Sequence, residues 1–198
     1  MKWSPTIAWQ VALFGLLAGI IALVFVRLTL FIRGAMKKYV AWSPARPLIG
    51  GILLAILIGV CGWRDYQGFS FPLMLEAMNG ATTGHFEVKL FLTALTVGTG
   101  FVGGEVIPLL ATGAMGGAMF ANLIGANVAV FAIVGSVAVL AGAANTPLAC
   151  TFIGIELFGG NGAILFAAAC VAAYTASGHT GIYHSQKVSA HKSGAVTT

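Results

Sequence analysis

Gly100-Phe-Val-Gly-Gly-Glu-Val-Ile-Pro108 decides how this sequence is read. Four glycines fall in the seven residues from Gly98 to Gly104, a density through which a helix does not easily run. Pro108 then stands just inside a new helix, where its missing N–H does no harm, and the apolar run continues to Ile124. A flexible loop, a carboxylate and a helix N-terminus therefore meet at one point. Beside Gly104, the free N–H groups of the first turn, those of Val106 and Ile107, carry the positive end of the helix macrodipole and form an anion site. Backbone amides suit a small halide because they bind without the full charge of Lys or Arg, so the ion can leave again. Glu105 stands at the mouth of that site, where an ionised carboxylate competes with the anion and a protonated one withdraws, which couples anion movement to protons. As a plain first-turn acid it would stabilise its helix by about 0.3–1 kcal/mol. Carboxylates at membrane depth are costly and usually functional, which favours the gating role.

The composition around this stretch is that of a membrane protein. Of the 198 residues 59% are hydrophobic and only 8% charged, against about a quarter in a soluble domain. Between Lys89 and Lys187 the only charges are Glu105 and Glu156, so a soluble fold would have no polar coat. The net charge of +5 reads as Lys and Arg flanking membrane spans. No basic run is long enough to follow a phosphate backbone, which implies a lipid bilayer and excludes nucleic acid as a partner. Cys61, Cys150 and Cys170 lie far apart in apolar stretches, without metal-ligand spacing, and read as buried small hydrophobes. No metal or cofactor is expected. The 27 glycines fall inside the apolar runs as much as between them, as close helix packing and broken helices require.

Apolar runs bounded by charge or turn residues predict an all-α polytopic protein with discontinuous, re-entrant helices. The first runs from Ile7 to Ile32 and is read as a retained transmembrane helix. The uncharged stretch from Trp3 to Val26 is too long for a signal-peptide core of about 7–15 residues, and Arg27 and Arg33 replace a cleavage site. A basic linker from Arg33 to Pro47 precedes a second run, Leu48 to Trp63, closed by Arg64-Asp-Tyr-Gln-Gly68. Phe69 to Met78, with Glu76 inside it, is too short to cross a bilayer, and Phe86 to Val97 continues helically. After Ile124 come runs from Val128 to Ala144, Leu148 to Phe158 and Ala163 to Ala176, with Asn145 read as an N-cap before Pro147. Residues 1–186 thus form one transmembrane domain and residues 187–198 a polar, disordered tail. Glycine breaks at membrane depth survive only where protein buries them or water wets them, which points to a transporter or channel.

The same residues carry a family resemblance. Gly104-Glu-Val-Ile-Pro108 is similar to the G-x-F-x-P anion-binding motif in the second half of CLC (voltage-gated) chloride channels and chloride/proton antiporters. The resemblance runs from Phe14 to Gln186 and takes in Asn145-Thr-Pro-Leu-Ala-Cys-Thr-Phe-Ile-Gly-Ile-Glu156 and Ser177-Gly-His-Thr-Gly-Ile-Tyr183. It looks most like the fluoride-transporting clade, which has Glu in the motif, Val in place of Phe, and similar N-T-P-L-A-C and S-G-H-x-G-I-Y strings. The resemblance implies the second half of a pair of inverted repeats that moves chloride or fluoride, as a channel or as a fluoride/proton antiporter, and is not an enzyme. It places the amides of Val106 and Ile107 and the hydroxyl of Tyr183 around the anion, makes Glu105 the gating or proton-linked carboxylate, and gives Glu156 a structural role. It further implies a homodimer in the inner (plasma) membrane of a bacterium. One departure is Ile107, where the clade usually has Thr; a hydroxyl beside the site is lost and the case for fluoride selectivity is weaker.

The Gly-Ser-Gly loop and the Gly-x-Glu-Gly-Pro motif of the family's first half do not occur in these residues. The chain therefore reads as the last helix of the first half plus the second half, a fragment or split subunit that conducts with a complementary first-half chain. The positive-inside rule would put the linker bearing Arg33, Lys37, Lys38 and Arg46 in the cytoplasm; we follow the family's topology, which puts it outside and the C-terminal tail inside. Without the resemblance, Tyr183 is an ordinary interfacial tyrosine, and His179 and His184, four and one residues from it, are solvated or backbone-bonded. Glu156, with no Lys or Arg near it in sequence, is neutral, paired in space or on a proton path. Two rival readings remain, a non-conducting assembly subunit and an intramembrane serine hydrolase with Ser136 as nucleophile and His179 as base.

Overall fold

Apolar runs broken by Gly, Asn and Pro give eight helices among the described residues, which are 5–82 and 84–183 of the computed structural model; His184 and the tail lie outside them. Helix α1 spans Pro5–Tyr39, about 50 Å at 1.5 Å per residue, where the hydrocarbon core is about 30 Å thick. The expected linker therefore begins later than Arg33. Nothing in Gly-Ala-Met-Lys-Lys stops a helix, and Lys37 and Lys38 in the last turn complement its negative end. Helix α2, Ala45–Cys61, starts three residues before the expected Leu48, after a turn in which Arg46 Nε donates to the Val40 carbonyl at 3.0 Å. A short 3-10 turn, Arg64–Tyr66, leads to α3, Phe71–Met78, and α4, Phe86–Gly98.

Helices α5 (Val106–Ile124), α6 (Val128–Ala144), α7 (Pro147–Phe158) and α8 (Ala163–Ala176) complete the order. Asn127 caps α6, its side chain accepting from the Val130 N–H at 3.1 Å. Asn145 is a correction to the sequence reading. With φ at 56° it ends α6 in the left-handed conformation, its N–H returning to the Ala141 carbonyl, and Thr146 is the residue that precedes α7. Asn tolerates that conformation better than other residues with a Cβ, so here it stops a helix.

Helix α6 is the centre, buried at every residue from Val134 to Ala144. A Cβ added at Gly113 or Gly117 of α5 would run into the carbonyl oxygens of Gly135 and Phe131 on α6, so the two backbones touch through a four-residue small-residue spacing. On the other side α1 lies against α8 in the same manner: Cβ atoms at Gly15 and Gly19 would each come within 2.7 Å of Ala172 and Ala176 Cβ, respectively. Phe14, Phe120 and Phe131 fill the remaining gap, with ring centroids 5.2–5.9 Å apart. Outward apolar side chains dominate α2 (Leu48, Ile52, Ile56, Val60) and α7 (Leu148, Phe152, Leu157). By length and composition α1 and α5 can each cross a membrane, and the other apolar helices are shorter. Of the cysteines, Cys150 and Cys170 are buried as expected, whereas Cys61 ends α2 on the surface.

Candidate anion site

The loop 101–105 forms because α4 ends twice over. The Gly100 N–H returns to Val97 O at 3.2 Å and the Phe101 N–H to Thr96 O at 3.4 Å, and Gly100 takes φ 99°, a value that requires glycine. Beyond it, nothing would touch a Cβ at Gly103 or Gly104 within 4 Å, so the loop faces open space on both sides. Glu105 stands at the N-cap of α5 with helical φ and ψ, its carbonyl accepting from the Leu109 N–H at 3.1 Å. Its side chain makes no capping bond, so the carboxylate does not act as an ordinary helix cap. Pro108 has no N–H and Leu109 is satisfied, which leaves Val106 and Ile107 as the free amides of the first turn.

Tyr183 reaches this point from the other end of the chain. Gly178, at φ 74°, turns the backbone after α8, and the Ile182 N–H then bonds to Ala143 O at 3.0 Å, tying the segment to the end of α6. Partial burial, then the carboxylate of Glu105, then the thiol of Cys150 raise the Tyr183 phenol above its ordinary value. The tyrosine thus sits within electrostatic reach of both the α5 N-cap and the first turn of α7. The structure therefore brings Tyr183, remote in sequence, within electrostatic reach of Glu105 in the contiguous stretch Gly104-Glu105-Val106-Ile107.

Glu156 is not among them. It is exposed on α7 between the outward side chains of Phe152 and Leu157. Ser136, proposed above as a nucleophile, is wholly buried and donates to Ile133 O at 2.7 Å, at the place where α6 touches Gly113; His179 is exposed. This serine packs helices. No group of three His, Cys, Asp or Glu side chains suited to a metal occurs among the described residues.

Two cavities share Gly103 and Glu105 of the loop. The larger, about 600 Å³, lies between α2, the 64–68 turn, α4 and the loop, with Arg64, Lys89, Thr93, Thr96, Gly103 and Glu105 on its walls. The smaller, about 170 Å³, lies behind the loop against α1, with Thr29, Arg33, Gly103, Glu105 and Ile182 on its walls. Glu105 thus lines both spaces. Two of these residues were not singled out in the sequence. Lys89 is only 2% exposed, although it lies in the first turn of α4, two residues after exposed Glu87. A lysine inside an apolar run was the available signal. Thr29 has a buried hydroxyl without a hydrogen-bond partner. Nothing in the sequence marks it, since threonines in helices ordinarily bond back to a carbonyl three or four residues earlier.

Residues 1–178 match the profile of the family described as voltage gated chloride channel. The chain belongs to this family. A chloride/fluoride channel protein of Pseudomonas syringae pv. tomato is 39% identical over 181 residues, covering 88% of this chain and 40% of that protein. An uncharacterized protein of Methanocaldococcus jannaschii is 32% identical over 119 residues, 58% of this chain and 30% of its own length. Among solved structures, a CLC-type fluoride/proton antiporter superposes with a TM-score of 0.83 at 28% identity, over 89% of this chain and 45% of that one. The chain thus spans less than half the length of these relatives. The fold is that of the family, an all-helical integral membrane protein, and the family's members are channels and transporters rather than enzymes, which disposes of the hydrolase reading.

Proposed function

We propose that this chain supplies one wall of a halide pathway, in which the Val106 and Ile107 amides and the Tyr183 hydroxyl hold the anion beside Gly104. Glu105 takes the anion's place when ionised and leaves it when protonated. One observation carries this reading: a carboxylate without a capping bond lines two cavities at a helix N-terminus that carries two free amides, and a tyrosine lies within electrostatic reach of it. Amides and a phenol stabilise a small anion without a fixed positive charge, so binding is strong enough for entry and weak enough for exit. A carboxylate competing for the same donors makes occupancy depend on protons.

On this reading the transported ion is fluoride or chloride, and the carboxylate in the motif favours exchange of fluoride for protons. Ile107 contributes no hydroxyl, so the discrimination between halides rests on the amides and Tyr183. Residues 1–186 act as one transmembrane domain in the bacterial plasma membrane. The rest of the pathway comes from a first half, joined to this chain or separate, and the outward apolar side chains of α2 and α7 are available to it, to a second subunit or to lipid. The test is halide efflux from liposomes containing this chain, with and without a first-half chain, read with fluoride and chloride electrodes and a pH dye. Efflux that appears with the complete pathway and loses its proton coupling in Glu105→Gln supports the proposal. Absence of flux for both halides in both preparations refutes it.

A further inference from the structure

Lys89 is the one fully buried cation of the described fold, and nothing in the anion site above uses it. Its Nζ donates to the carbonyls of Tyr66, at 3.1 Å, and of Gly68. An ammonium carries three protons, and these two carbonyls take two of them. Carbonyl dipoles satisfy hydrogen bonds but leave the charge uncompensated, and a buried charge without a counter-ion is unfavourable. The groups that face it do not supply one. Glu87, on the same helix, is turned outward with His85 at 3.1 Å. On the 64–68 turn stand Arg64, a second cation on the same cavity, Tyr66, and Asp65, which is exposed and does not line the cavity, while the Thr96 hydroxyl is already donated to Leu92 O at 2.7 Å. Glu105 lines the same cavity. Two cations against one carboxylate make the cavity electropositive, and its low-dielectric walls focus that field on small anions.

We propose, building on the halide reading above, that Lys89 and Arg64 form a second halide site on the wall of the 600 Å³ cavity, where an anion waits before it reaches Glu105. The halide accepts the third Nζ proton and serves as the missing counter-ion. Because the ammonium is shared with two carbonyls, it cannot close around the ion and trap it. Arg64, on the exposed turn, contributes the long-range attraction that brings anions to the cavity. Burial lowers the Lys89 ammonium to about 8, so it remains mainly protonated at neutral pH.

The experiment is crystallography of the full chain in sodium bromide, with anomalous density locating the ions, on wild type and Lys89→Met. Bromide titration by calorimetry, expected to show at least a tenfold loss of affinity for one of two sites in the variant, accompanies it. The expected wild-type result is one peak at hydrogen-bond distance from Lys89 Nζ and another at the Val106 and Ile107 amides, the first vanishing in Lys89→Met. A peak at the amides with none at Lys89 overturns this inference and leaves the proposed function standing. A peak at Lys89 alone upholds the inference and overturns the amide site, and no peak at either place overturns both. Should Lys89→Met fail to fold, the wild-type density decides the question alone.

Discussion

Gly116 and Gly117 are neighbours on α5, yet the structure gives opposite signs to the same substitution at the two. At Gly116 a Cβ would meet Ile21 Cδ1 at 3.5 Å and the Phe86 ring at 3.7 Å, ordinary contacts. Gly116→Ala therefore gains the helix-propensity difference of about 0.8–1 kcal/mol without a clash. At Gly117 the added carbon would lie 2.6 Å from the Phe131 carbonyl carbon and closer still to its oxygen. No side chain can move aside there, so the cost lies near the top of the usual overpacking range, about 3 kcal/mol, and exceeds the propensity gain by about 2 kcal/mol. For a chain of this size each kcal/mol is about 2–4 °C, so Gly117→Ala should melt about 4–8 °C below wild type and Gly116→Ala about 2–4 °C above it. A thiol-reactive dye in detergent reads both melts, because Cys150 and Cys170 are buried until unfolding; the exposed Cys61 is first replaced by Ser. The consequence extends to the site. The α5 N-terminus carries Glu105 and the two free amides, while Ile182, next to Tyr183, is tied to α6. Forcing α5 from α6 moves the two halves of the anion site apart, so halide flux through Gly117→Ala should fall even in the fraction that folds. Equal melting temperatures for the two variants would refute the backbone contact and, with it, the account of how the site is held.

Tyr183→Phe should lower halide affinity about equally across the working pH range, because the raised phenol stays a protonated donor throughout; electrode-measured flux against halide concentration at several pH values checks this. A shift of the pH profile in that variant would assign the proton to Tyr183 instead of Glu105. Thr29→Val replaces an unpartnered buried hydroxyl by an isosteric methyl and should stabilise the fold by about 1 kcal/mol in the same dye melt; a lower melting temperature would reveal a partner for the hydroxyl. Lys89 supplies a pH test of stability. Its folded value, about 8, lies below the ordinary 10.5, so between these values the unfolded chain binds the proton that the folded chain has released. Stability should therefore rise with pH from about 8 to 10.5 through this group, and a matched series of melts should lose that increment in Lys89→Met.

Where sequence and structure agree, one kind of interaction decides both. The breaks after Ile124 and Phe158 and the loop at Gly100 follow from backbone conformation, which Gly imposes locally, and α5, α6 and α8 fall close to where the apolar runs place them. Where the two differ, a competing local preference won. Arg33 to Tyr39 remain helical because charge alone does not end a helix, and Asn145 is equally suited to stopping one helix and starting another. Once Asn145 takes the left-handed conformation that ends α6, Thr146 is left at the N-cap of α7, without a side-chain capping bond.

The anion site divides along the same line. Glu105, Val106 and Ile107 are adjacent in the chain, and their meeting at a helix N-terminus follows from Pro108 and the glycines before it. Tyr183 lies more than seventy residues away, and its approach depends on the Ile182 bond to α6 and on the close crossing of α5 and α6, neither of which has a local signature. Lys89 shows the remaining difficulty. A lysine in an apolar helix is visible as an anomaly, but its meaning depends on whether a carboxylate, a carbonyl or solvent faces it, and that is settled by the 64–68 turn folding back over α4. Glu156 shows the converse: it is an equally conspicuous charge in an apolar stretch, yet it lies inside α7 and faces out of the fold. A charge in an apolar stretch therefore identifies a place worth inspecting, and the groups packed around it determine whether it carries the ion, holds a loop or meets another surface.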